Sequence, residues 1–376
     1  MALELREVRG DRDLTRFIRL PYAIYRDDPN RVAPLESDLR NTLTPGRNPF
    51  WRHAERGLYL AERDGRPVGR IAAINDRNYN ACHESSIGFF GFFECVDDEE
   101  VARALFAAAE NWCREAGLTR LYGPANPSMN DECGLLIEPF DRPPVIKTSY
   151  NPPYYPALVE AAGYVKVKDL YAFRLDLTKE IPKKVIRVIT ARKASGDLAV
   201  RPVDLANIKR DLGYIKEVYN DAWSRNWDFA PMTEEEIDDL ARQLRPIVEP
   251  TLCPMVFWKG DAAGIAVGLP DYNQVLIKLR GRLFPFGWLR LLLGRRRVDH
   301  SRLWALGVKR RYQHLGLGAV MYYEAITAAR RLGHTWGEMS WILEDNESII
   351  RPIRLLGGER YKTYRIYRRE PALNAG

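Results

Sequence analysis

Ten residues late in the chain, Lys309-Arg310-Arg311-Tyr312-Gln313-His314-Leu315-Gly316-Leu317-Gly318, join three cations to two closely spaced glycines. Before them runs a strand-like stretch, Ser301–Val308. After them Ala319, Tyr322, Tyr323, Ile326 and Ala329 recur at helical spacing up to Gly333. A strand feeding a glycine turn at a helix N-terminus presents unpaired N–H groups and the positive end of the helix dipole, the ingredients of a phosphate site. The glycines let a diphosphate approach the backbone, and Lys309, Arg310 and Arg311 bring positive charge. No Gly-Lys-Ser/Thr follows and the full Gly-x-Gly-x-x-Gly is absent, so neither a Walker loop nor a dinucleotide fingerprint is present.

The elements that must carry this loop occur twice. Leu3 and Leu198, Gly69 and Gly264, Asp76 and Asp271, Asn151 and Asn346, and Gly163 and Gly358 are each 195 residues apart. Each half has a hairpin signal between apolar runs, Asp64-Gly65 in the first and Gly260 in the second. Each later has an Asn opening a helix-like stretch that ends at glycine and leads into an aromatic strand. Duplication follows, with a first domain over 1–178, a Lys/Arg-rich linker over 179–197 and a second domain over 198–376. The expected fold is α/β (α+β), each domain a mixed, mostly antiparallel sheet flanked by helices.

Composition narrows the class. The 376 residues carry 57 Lys+Arg against 50 Asp+Glu, a net +7 that favours anionic partners but is too diffuse to name nucleic acid. Five cysteines without Cys-x-x-Cys or zinc spacing point to buried reduced thiols and no metal site. The N-terminus lacks a signal core, and no run reaches the ~18 apolar residues of a membrane span. A cytoplasmic protein is expected, with peripheral contact on the cytoplasmic membrane as its alternative.

Gln313-x-x-Gly316-x-Gly318 resembles the acyl-CoA pyrophosphate signature of the GNAT (acyl-CoA N-acyltransferase) superfamily. The strand Trp336–Leu343, then Asn346 and Gly357-Gly358, match that family's next elements in order. The resemblance implies two tandem GNAT-like domains, with acyl-CoA as co-substrate of the second. Its contacts would come from Arg311, Gln313, His314, Leu315, Gly316, Leu317 and Gly318, with Asn346 beyond. In the first half Asp97-Asp98-Glu99-Glu100 stand where a diphosphate would sit, and four carboxylates repel one.

Acyl transfer to an amine, which the resemblance implies, needs a base for the amine proton and an N–H donor for the oxyanion. The donor is expected near Leu306, Gly307 and Val308. Glu338, Glu344 and His300 are the base candidates, each with an ordinary structural alternative. Where the family often has a Tyr as acid to sulfur, this chain has Ile353; Tyr361 or Tyr364 stands in, or water does. Asn126, Ser128 and Asn130 sit in a loop that is either turn-rich or an acceptor-binding wall.

Residues 279–297 gather Phe284, Phe286, Trp288 and leucines among six arginines, suited to a membrane interface, a lid over a long acyl chain, or an amphipathic cover on the core. The stretch Asn220–Phe229, with Trp223 and Trp227 expected at the acceptor, and Ser340–Asn346 resemble the bacterial ceramide synthase group. That resemblance implies acylation of a sphingoid-type amine, so a long-chain, acyl-CoA-dependent N-acyltransferase with a lipid acceptor is expected. A short-chain N-acetyltransferase on a soluble amine and a non-catalytic CoA-binding sensor are the alternatives. The loop argues against aminoacyl transfer from transfer RNA.

Overall fold

The computed structural model describes residues 2–282 and 287–369, and its chain divides into two compact units. The first comprises residues 1–169, 276–290 and 363–376; the second comprises 170–275 and 291–362.

In the first unit β1 (Leu3–Glu7), α1 (Gly10–Ile24) and α2 (Glu36–Leu43) precede the hairpin of β2 (Ala54–Arg63) and β3 (Arg66–Asp76). Both hairpin-turn residues, Asp64 and Gly65, have positive φ, the conformation that suits a two-residue turn to twisted strands. Helix α3 (Arg77–Cys82), β4 (Ile87–Cys95), α4 (Glu99–Glu115) and β5 (Arg120–Gly123) follow. Short strands β6 (Ala125–Asn126), β7 (Glu132–Cys133) and β8 (Leu135–Glu138) lead to α5 (Tyr155–Ala161). Strands run in the order β1-β2-β3-β4-β5, antiparallel except that β4 and β5 are parallel. Asp98 caps α4, and its Val101, Leu105, Phe106, Ala109 and Cys113 pack with Phe90, Phe93 and Tyr164 into a core.

Strand β9 (Val165–Asp176) then carries the chain into the second unit, where α6 (Lys183–Ala194) precedes β10 (Leu198–Pro202). Helices α7 (Ile208–Trp223) and α8 (Glu234–Leu244) lead to the hairpin of β11 (Pro254–Trp258) and β12 (Asp261–Pro270). Lys259 and Gly260 repeat the positive-φ turn of Asp64 and Gly65. After α9 (Asn273–Leu276) and α10 (Gly287–Gly294) come β13 (His300–Val308), α11 (Leu317–Arg331), β14 (Trp336–Leu343), α12 (Glu347–Leu355) and β15 (Glu359–Arg369). The order is β10-β11-β12-β13-β14, parallel only between β13 and β14. Leu317 and Met321 of α11 pack on one side of this sheet with Val256, Ala263 and Ala266. Val218 of α7 packs with Met255 and Ile265.

The last strand of each half serves the other unit. Leu170–Leu343 and Asp176–Trp336 mark the antiparallel pairing of β9 with β14, and Tyr367 of β15 pairs with Gly123 of β5. Helix α6, inside the stretch expected as a linker, belongs to the second unit and reaches the glycine loop: a Cβ on Gly316 would stand 3.3 Å from Val188. Cys95, Cys113, Cys133 and Cys253 are buried free thiols and Cys82 is exposed. Phe284 and Phe286 lie outside the described residues.

Candidate active site in the second unit

Strands β13 and β14 pair only from His300–Trp336 to Leu303–Met339, and then part. Both strands change register where they part. Trp304 is the extra residue between Leu303 and Ala305 in the ladder with β12, and Ser340-Trp341 face only Ala172 of β9. An extra residue bends its strand and increases twist, so a bulge on each side turns the strands apart. Beyond Leu303, β13 is held on its β12 edge alone. The amide of Lys309 donates to Ala263 of β12 at 2.9 Å. Strand alternation then turns the amides of Leu306 and Val308 to the open edge. The carbonyl of Val308 on that edge accepts from Gln313 Nε2 at 3.3 Å.

The loop that follows is a 3-10 turn, Arg310–Leu315, closed by Gly316 at φ 70°. Gly316 is the N-cap of α11 and supplies no side-chain acceptor, so the first amides of the helix, at Leu317 and Gly318, have no intrahelical partner. A Cβ on Gly318 would meet nothing within 4 Å. Open amides, a dipole and free space lie together there, and a diphosphate fits that chemistry.

The first unit closes the same junction. Asp98 Oδ1 accepts from the amides of Glu100 and Val101 at 2.9 and 3.3 Å, and Arg63 bridges Asp98 and Glu100. The helix end that is open in one unit is capped by a carboxylate in the other.

The loop cations also make contacts within the protein. Lys309 is buried, with Nζ 2.6 Å from Glu217 and 3.2 Å from Asp261. Arg311 pairs with Asp261 at 2.7 Å, and the amide of Arg310 donates to Asp221 at 2.6 Å. Partial burial would raise the Asp261 pKa, but its bonds from Arg311 and Lys309 outweigh this and hold it below the ordinary value. These contacts pin the loop to α7 and β12.

On the strands, alternate side chains share a face. Arg302 and Glu338, opposite one another in the β13–β14 ladder, are both 0% exposed, with Arg302 Nε 3.9 Å from Glu338 Oε1. Ser340 Oγ donates to Oε1 and the half-buried Tyr361 donates its hydroxyl to Oε2. Arg302 also donates to the Ser340 carbonyl at 3.0 Å. Next along the strands His300 stacks on Trp336 at 3.9 Å, with its ring nitrogens 2.7 Å from Asp271 and 2.8 Å from Asp299. The Trp336 ring in turn is 6.3 Å from that of Tyr361. Of the base candidates, Glu338 and His300 therefore stand on one polar face. Glu344 lies past the end of β14 and is half-buried.

Trp223, the last residue of α7, packs on Gly307, and its ring also meets that of Tyr219 at 5.2 Å. Trp227 lies just beyond that helix, half-buried. Asn346 is the N-cap of α12 and accepts from Ser348 at 2.7 Å. Ile353 is fully buried in the core with Ile350 and Tyr322. Tyr364 belongs to the first unit, where it is fully buried and paired in register with Leu136. Asn126, Ser128 and Asn130 also lie in the first unit. Asn126 accepts the amide of Phe92 at 2.6 Å, Ser128 donates to Asp131 at 2.7 Å, and the Asn130 amide donates to Ser128 at 3.2 Å. Arg302 and Ser340 went unread as partners of Glu338; the signal was the two-residue step that puts Arg302 on the face of His300.

Residues 212–353 match the acetyltransferase (GNAT) family. A protein of Caulobacter vibrioides called "Bacterial ceramide synthase" is 38% identical over 367 residues, 96% of this chain and 95% of that one. The chain belongs to the GNAT family. It is therefore an N-acyltransferase, in a family that uses acyl-CoA as co-substrate. "Protein YghO" of Escherichia coli is 34% identical over 95% of this chain and 93% of its own. Among solved structures, the tandem GNAT protein from the clavulanic acid biosynthesis pathway superposes with TM-score 0.58 over 99% of this chain and 100% of its own at 14% identity. A GNAT protein of Sphaerobacter thermophilus gives 0.55 over 98% and 96%, at 15%. These two likenesses establish the tandem GNAT fold.

Proposed function

We propose that this N-acyltransferase takes its acyl group from acyl-CoA, that the chain transferred is long, and that the acceptor is the primary amine of a sphingoid-type base. The observation that carries the CoA part is the parting of β13 from β14 beside an uncapped helix end. A diphosphate on the amides of Leu317 and Gly318 sends the rest of the cofactor along the open edge of β13, towards Leu306. The carboxylate cap at Asp98 supports a first unit that takes no CoA. The long chain and the amine class are supported by the 38% identical relative and its name.

The neutral amine attacks the thioester carbonyl, and the open-edge amides of β13 stabilise the oxyanion. Collapse breaks the C–S bond and leaves the amide C–N bond. The amine proton passes through the Tyr361 hydroxyl to Glu338, whose burial keeps it out of direct reach of solvent. Water protonates the departing thiolate, since Ile353 has no proton to give. An acceptor of this kind resides in a bilayer, so the enzyme works at a membrane face. No helix among the described residues is long and apolar enough to cross one.

The test is thiol release and amide formation from acyl-CoAs of increasing length, each with a soluble amine and with a sphingoid-type base. Rates rising with acyl length, and only with the lipid amine, are expected. Preference for acetyl-CoA and a soluble amine overturns the lipid reading and leaves the acyl transfer.

A further inference from the structure

We infer that α10 is the membrane-docking element, laying its apolar face on an anionic bilayer; this rests on the lipid-acceptor reading and names the surface that serves it. None of the residues of α10 is buried. Trp288, Leu289, Leu292 and Leu293 are 53, 39, 56 and 67% exposed, four of the nine large apolar side chains in the described residues that stand out so far. At about 100° per residue they fill one arc of roughly 140°, with Arg290 beside it. A face of this kind on a folded protein marks a contact surface.

Charge identifies the occupant. From Asn273 to Val298 the sequence has Lys278, Arg280, Arg282, Arg290, Arg295, Arg296 and Arg297 and not one carboxylate. Arg290 within α10 and Arg296 and Arg297 in the turn that follows it are exposed. An aromatic and leucines sunk at the headgroup level with arginines around them match an anionic lipid surface, and a second copy of so basic a segment would be repelled. The helix is fixed at its far end: a Cβ on Gly294 would stand 2.7 Å from Val275, and Arg295 donates to Tyr272 at 3.3 Å and to the Pro246 carbonyl at 3.2 Å. The face is thus presented by an anchored helix.

The test is flotation of the full chain with vesicles of phosphatidylcholine alone or mixed with phosphatidylglycerol, with sedimentation velocity alongside. Binding to the anionic vesicles that falls with salt is expected, weakened at least about tenfold in Leu292→Glu/Leu293→Glu and in Arg296→Gln/Arg297→Gln. Both variants should keep thiol release with a detergent-dispersed amine. Equal binding to both vesicle types, or binding untouched by the leucine variant, overturns the proposal. A dimer that this variant makes monomeric does so too, with a second copy as the occupant. Vesicle binding without thiol release in the unmodified chain sinks the acyltransfer reading and leaves the docking face standing.

Discussion

The ring of Trp223 lies on the α-carbon of Gly307, so close that a Cβ built there would stand 2.2 Å from its Cζ3. This contact presses the end of α7 against the strand whose free edge carries the site. Gly307→Ala forces ring or strand to move, at a cost of about 2 kcal/mol for an overpacked contact. Urea unfolding should show the loss, and Gly307→Ala/Trp223→Leu should recover part of it. An unchanged midpoint in the single variant contradicts the contact.

Glu338→Gln keeps the shape of the group and removes the carboxylate proposed as proton acceptor. A fall of about a hundredfold or more in kcat is expected, with the Kd for acyl-CoA unchanged. Tyr361→Phe should lower kcat in the same sense. Pre-steady-state kinetics with calorimetry for Kd separates the two effects. Full activity in Glu338→Gln moves the base elsewhere, with His300 next on the same face.

Gly318 offers opposite signs for stability and binding. Alanine is the better helix former and meets no neighbour, so Gly318→Ala should stabilise the protein by about 0.5 kcal/mol. The same methyl fills the approach of a diphosphate and should weaken CoA binding. Thermal unfolding and calorimetric titration on one sample check both. Unchanged CoA affinity would count against the loop.

Asp211, fully buried, shows how the second unit responds to acid. Burial alone would raise its pKa, but two bonds from Arg201, the Asp204 amide and Arg210 outweigh it and bring the value down to about 2. A carboxylate depressed on folding contributes stability above its unfolded pKa of roughly 3.9, and that contribution is lost as pH falls towards the folded value. Asp211→Asn should therefore cost about 2 kcal/mol at neutral pH, and the difference from the unmodified protein should shrink between pH 4 and about 2. Denaturant unfolding across that range checks it.

Local pattern made the architecture readable. Turn chemistry at Asp64-Gly65 acts within two residues and recurs 195 residues on at Lys259-Gly260, and the glycine turn after β13 is equally local. What stayed hidden depends on partners distant in sequence. Lys309 reads as a phosphate ligand until Glu217, 92 residues earlier, closes on it. Asn151, read as opening a helix, instead holds the backbone of Leu136, and α5 starts four residues later. The exchange of β9 and β15 leaves no mark in composition, because a strand's hydrogen bonds do not name their partner. Glu338 was legible as one of three base candidates, while Tyr361, 23 residues on, was identifiable as its donor only in three dimensions.

Hydrogen–deuterium exchange with and without coenzyme A tests the cradle most directly. Slower exchange in peptides covering Leu306–Val308 and Gln313–Gly318, with none at Asp98–Val101, is the predicted result. Protection confined to the first unit, or absent at saturating coenzyme A, would contradict it.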